Sequence, residues 1–218
     1  MTTTTPHHRT RFRREWLVPA GLIALSLVPV VAGGLRLVEL GGGPQLVPDG
    51  GRDYASAPGF LIAHIVTVIV YSVVGALQFA PGFRARHRGW HRAAGRVLVV
   101  AGIVAALSGV WLSLFQHRPD ISPLLTGFRL AAGTAWVVFL VLGFTAIRRR
   151  EVVRHRRWMV RAYAIALGAG TQAFTLGVWQ LAVGTSGPIA EAFLMLAGWL
   201  INIAVAEWVI RRPAVRRR

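Results

Sequence analysis

GFLIAHIVTVIVYSVVGALQFA, residues Gly59 to Ala80, carries no charged side chain over its whole length. About 20 apolar residues let a helix cross roughly 30 Å of hydrocarbon. Only helices and closed barrels satisfy their backbone in lipid, and this run is too continuous for the alternation of a barrel strand. It therefore predicts a transmembrane helix. Similar runs lie at about 16–38, 97–115, 130–147, 158–183 and 189–210. Composition agrees. The 218-residue chain is 54% hydrophobic and 15% charged, whereas soluble domains carry about 25% charge. The expected fold is all-α: one membrane domain of six helices over 16–210, between a disordered basic tail at 1–15 and a basic tail at 211–218.

The connections predict orientation. The formal charge of +17 comes entirely from arginine. Confinement of that charge to short segments between apolar runs argues against a nucleic-acid binder. The N-terminal tail, the segments 84–96 and 148–161 and the C-terminal tail hold four, five, seven and five arginines, 21 in all. The other four (Arg36, Arg52, Arg118 and Arg129) fall elsewhere. The positive-inside rule then places both termini in the cytoplasm of a bacterial inner membrane. Trp16, Trp90, Trp158 and Trp208 lie near the predicted cytoplasmic ends, where an indole faces both lipid and water. Arginines followed by an apolar run and Val31-Ala32-Gly33 also fit a cleavable signal peptide. The run exceeds the 7–15 residues of a signal core, so a retained helix is the expectation.

Polar residues inside the spans are costly unless partnered. The second span carries His64, Tyr71, Ser72 and Gln78, with His64 and Gln78 two heptads apart and so on one face. His64 is expected to face the bundle interior. The fifth carries Tyr163, Thr171, Gln172, Thr175 and Gln180, and the sixth Asn202 and Glu207. The plain reading is interhelical hydrogen bonding, worth about 0.6 kcal/mol each on average. Gly102, Gly109, Gly168 and Gly170 permit close helix contacts.

Two segments share a His-Arg step at a cytoplasmic helix start: His87 to Arg96, and His155 to Arg161. Topology alone explains their charge. The alternative is an anion site, because helix N-termini with arginine forks suit phosphate or carboxylate. Arg92, Arg96, Arg156 and Arg161 are the candidate cations. His91 and His155 are the candidate metal ligands, since neutral imidazole binds metal, and Gly95, one turn after His91, leaves room for a flat ring. A b-type haem could lie between those two histidines, with His64 and His117 as a weaker outer pair. No cysteine and no C-x-x-C-H are present, so any haem is non-covalent. No phosphate loop, H-E-x-x-H or Ser/His/Asp spacing supports a hydrolase or a nucleotide-driven activity.

Gly75-Ala76-Leu77-Gln78-Phe79, His91-Arg92 with Gly95-Arg96, and His155 through Ala164 occur in this order. Together they resemble the signature of a large bacterial family of predicted membrane proteins classed as a domain of unknown function. The resemblance covers about residues 59–180. It implies a multi-pass membrane fold and brings no established activity. The family pattern places an arginine near the middle of the fifth span, where this sequence has Ala173. The histidine-bearing helices are also similar, at fold level alone, to b561 and ferric-reductase membrane cytochromes, although the fourth span has no histidine to complete their pairs. Three functional classes follow. One is a haem- or quinone-associated redox protein using His91, His155, His64 and Gln78. The second binds or transports an anionic lipid or small anion through the arginine-rich loops. The third is a structural or assembly subunit without catalysis.

Overall fold

A computed structural model describes residues 7–46, 58–116 and 121–212, with side chains from Glu15 onward. Every regular element among these residues is helical. The helices are α1 (His7–Leu40), α2 (Pro58–Leu77), α3 (Pro81–Arg86), α4 (Arg88–Phe115), α5 (Pro123–Arg148), α6 (Val152–Ala166), α7 (Gly168–Ala182) and α8 (Pro188–Arg211). Five of them (α1, α2, α4, α5 and α8) are long and apolar enough to cross a membrane.

The boundaries depart from the sequence reading in four places. α1 begins at His7, so part of the stretch read as a disordered tail is helical. α2 ends at Leu77, which leaves Gln78 in the following turn. A short extra helix, α3, starts at Pro81, where proline's fixed φ suits a first turn. The run expected as one fifth span is two helices of 15 residues each. At 1.5 Å per residue each covers about 22 Å, short of roughly 30 Å. They meet at Leu167, whose φ of −71° and ψ of −3° keep the chain right-handed. Gly170 N–H bonds Leu167 O at 3.1 Å, a 3₁₀-type turn between Gly168 and Gly170. Interruptions of this kind occur at glycines in long helices. His117, Asp49, Arg52, Asp53, Arg118, Asp120 and the arginines at 216–218 lie outside the described residues.

The core forms where α2, α4, α5 and α6 meet. Tyr71 lies edge-on to Trp136, 5.1 Å between ring centroids, and stacks on Tyr163 at 5.8 Å. Tyr163 O–H donates to the carbonyl of Ser72 at 2.6 Å. Gly102 makes this approach feasible: a methyl group there would sit 2.7 Å from both Tyr71 and Leu140. Gly75 does the same beneath Tyr163.

Contacts between helix ends define two ends of the bundle. At the arginine-rich end, Trp16 of α1 meets Phe83 of α3 at 5.8 Å. At the same end His155 of α6 bonds Gly143 of α5, and Arg161 of α6 pairs with Glu207 of α8. At the opposite end, Phe60 of α2 stacks on Trp111 of α4 at 4.0 Å, and Phe128 of α5 meets Phe193 of α8 at 5.9 Å.

Candidate functional site

The three histidines of the sequence signature have different environments. His64 faces inward, as expected. Its Nδ1 lies 2.9 Å from the carbonyl O of Ala105 and 3.3 Å from Ser108 Oγ, and its ring packs on Gly109. A carbonyl oxygen only accepts, so Nδ1 carries the proton. Only neutral groups meet it in these bonds, and they make His64 a clasp between α2 and α4. His155 is held the same way, with Nδ1 donating to the carbonyl of Gly143 at 2.8 Å. His91 differs: its Nδ1 is buried and has no partner.

α4 and α6 both pack on α5 and on α2, and neither is the other's principal neighbour. His91 opens on a recess of about 390 Å³ between α3 and α4 that it shares with Arg84, Arg88 and Arg92. Neither His155 nor Gly95 lines that recess. A methyl group at Gly95 would meet open space. Both amide atoms of Gln78 are buried and unpartnered. A cofactor shared by His91 and His155 therefore gains no support from this arrangement. Among the described residues, no group of three or more His, Asp or Glu side chains could hold a metal ion.

The second feature is larger. An open groove of about 1220 Å³ runs between the start of α6 and the end of α8. Six arginines line it (Arg150, Arg154, Arg157, Arg161, Arg211 and Arg212) against two acids, Glu151 and Glu207. Arg161 grips Glu207 through two bonds, Nε to Oε1 at 2.5 Å and Nη2 to Oε2 at 3.1 Å. Such a fork fixes direction as well as charge. Arg211 approaches the same carboxylate at 3.7 Å. Arg161 also lies 4.8 Å over the Trp158 ring, and Arg212 3.3 Å over Trp208. Arg154 reaches Glu151 at 3.3 Å. Val152, Val153 and Ile210 give the groove an apolar wall.

Of the arginines singled out from sequence, Arg161 lines this groove and Arg92 the smaller recess, whereas Arg96 and Arg156 line neither. Sequence reading missed Glu207 as a site residue. Its spacing to Arg211, i to i+4, was legible as a helix pair, but the bond to Arg161, 46 positions away, was not.

Five long apolar helices around a shared core, with arginine gathered at one end, define an integral membrane protein of several spans. The chain belongs to the family of predicted membrane proteins DUF2306, whose model matches residues 61–210. No curated protein and no solved structure matches it.

Proposed function

We propose that this is a six-span protein of the bacterial inner membrane, with both termini cytoplasmic, that holds the headgroup of an anionic phospholipid in the α6–α8 groove. The observation that carries this reading is the lining of the groove: six arginines against two glutamates, beside Val152, Val153 and Ile210. A lipid offers both a phosphate for guanidinium forks and a chain for the apolar wall, whereas a soluble anion offers only the first.

The topology rests on charge and geometry together. α6 and α7 follow each other directly in the chain and both pack on α8, and we count them together as the sixth crossing beside α1, α2, α4, α5 and α8. The starts of α1, α4 and α6 and the ends of α5 and α8 then share the arginine-rich end, which the positive-inside rule assigns to the cytoplasm. The membrane domain is one unit over 16–210. A reporter fused after Glu151 should read inside, and one fused after Thr185 outside. An outside reading at Glu151 would remove the basis for the orientation.

The lipid reading is tested by native mass spectrometry of the full chain, purified in mild detergent and offered phosphatidylglycerol or phosphatidylcholine. The expected result is retention of the anionic lipid and its loss when Arg154, Arg157 and Arg211 are changed together to glutamine. Equal retention of both lipids, or no change in the triple variant, would overturn the reading and favour a structural role.

A further inference from the structure

A second, smaller recess lies at the same end of the bundle, between α3 and α4. Three guanidinium groups surround it: Arg84 from α3, and Arg88 and Arg92 one turn apart on α4. Among the described residues none of the three is paired with a carboxylate. The contrast with Arg86, on the same short helix, is informative: Arg86 lies 3.6 Å from Glu15. No acidic side chain lines the recess. Three like charges around about 390 Å³ repel one another until an anion joins them. The volume is at the small end of ligand sites, which run roughly 300–1,000 Å³.

Two independent observations bear on the occupant. The first is His91, whose imidazole lines the recess beside the three guanidiniums. A ring nitrogen of imidazole donates or accepts a hydrogen bond, so His91 adds a polar group to the lining. The second is depth. Phe83, on α3, meets Trp16 at 5.8 Å and Trp90 at 4.9 Å. Tryptophan concentrates at the headgroup level, and α3 with its aromatic side inward and its arginines outward lies in that layer. The recess is therefore where a lipid headgroup reaches it.

We propose that the α3–α4 recess binds a phosphomonoester headgroup, held by Arg84, Arg88 and Arg92 and hydrogen-bonded by His91. A phosphomonoester carries about −1.5 to −2 charges at neutral pH, and a phosphodiester only one. Three unopposed guanidiniums discriminate in favour of the former. This site is separate from the α6–α8 groove and stands or falls without it.

The test uses the full chain in detergent, with Arg154, Arg157 and Arg211 changed to glutamine to silence the α6–α8 groove, and three probes: short-chain phosphatidic acid, short-chain phosphatidylglycerol and inorganic phosphate, with affinity read by calorimetry. Phosphatidic acid should bind at least about tenfold more tightly than phosphatidylglycerol. Changing Arg88 and Arg92 together to glutamine should remove that preference, His91→Leu should weaken phosphatidic acid several-fold, and Arg156→Gln, at a position that lines neither the recess nor the groove, should leave it unchanged. The three arginines are exposed, so their replacement leaves the packed core intact, and an unchanged melting profile checks this. If inorganic phosphate binds as tightly as phosphatidic acid and displaces it, the headgroup alone is recognised and a soluble phosphomonoester is the ligand. If phosphate binds weakly, the lipid is. Equal binding of the phosphodiester lipid, wild-type affinity in the double arginine variant, or no binding of any probe would overturn the proposal.

Discussion

The seam between α7 and α8 and the arginine-rich end hold most of the chain's polar side chains, but they use them in opposite ways. In the seam the principal groups are answered. Thr171 Oγ1 donates to Asn202 Oδ1 at 2.8 Å, and Asn202 Nδ2 donates to the carbonyl of Ala164 at 3.1 Å. In an unbroken helix that carbonyl would take the N–H of Gly168, so Asn202 covers the break between α6 and α7. Gln172 Nε2 donates to Met195 O at 2.9 Å, and Thr175 to Leu194 O at 3.0 Å. At the arginine-rich end, Arg84, Arg88, Arg92, Arg150 and Arg157 have no carboxylate partner among the described residues. Satisfied polar groups inside lipid hold helices together. Unsatisfied ones at the headgroup level are free to bind.

The sharpest way to break this comparison is steric. Gly170 lies against the backbone carbonyl of Leu25 on α1, and a backbone cannot turn aside as a side chain can. Overpacking costs typically 1–3 kcal/mol and occasionally more, so Gly170→Leu should lose about 3 kcal/mol, seen as a large fall in melting temperature or in monodisperse yield. Wild-type melting would mean that the α1–α7 contact is loose. Next comes Asn202→Leu, which strands the Ala164 carbonyl and Thr171. Interhelical hydrogen bonds in membranes reach at most about 1.7 kcal/mol, so a loss of about 1 kcal/mol is expected in detergent unfolding, with the fold retained. The smallest effect on stability should come from the triple change of Arg154, Arg157 and Arg211 to glutamine. Exposed positions of this kind usually shift stability by less than about 0.5 kcal/mol, so the variant should melt like wild type while losing anionic lipid. A loss as large as that of Asn202→Leu would put the groove arginines on the side of the fold and erase the contrast.

Much of the bundle was legible in the sequence because hydrophobic length is a local property. The apolar runs around His64, Gly102, Leu140 and Ala206 each lie in a helix long enough to cross a bilayer. The inward direction of His64 was legible for the same reason, since a ring exposed to lipid is costly. The break at Leu167 was not, because the 158–183 run is continuous in hydropathy and the side chain that covers the open carbonyl, Asn202, arrives from α8. Nor were the different settings of His91 and His155. Both open similar His-Arg segments, yet one ring is tied to Gly143 and the other opens on three arginines.

Sequence by itself determined the membrane class, the helical fold and the gathering of arginine into a few short segments, because hydropathy and charge are summed along the chain. Only the tertiary structure decided which arginines are neutralised. Arg161 is held by Glu207 and Arg86 lies beside Glu15, whereas Arg84, Arg88 and Arg92 face one another around a recess. Whether a charge is answered depends on what another helix brings within about 4 Å of it, and separation along the chain carries no record of that distance.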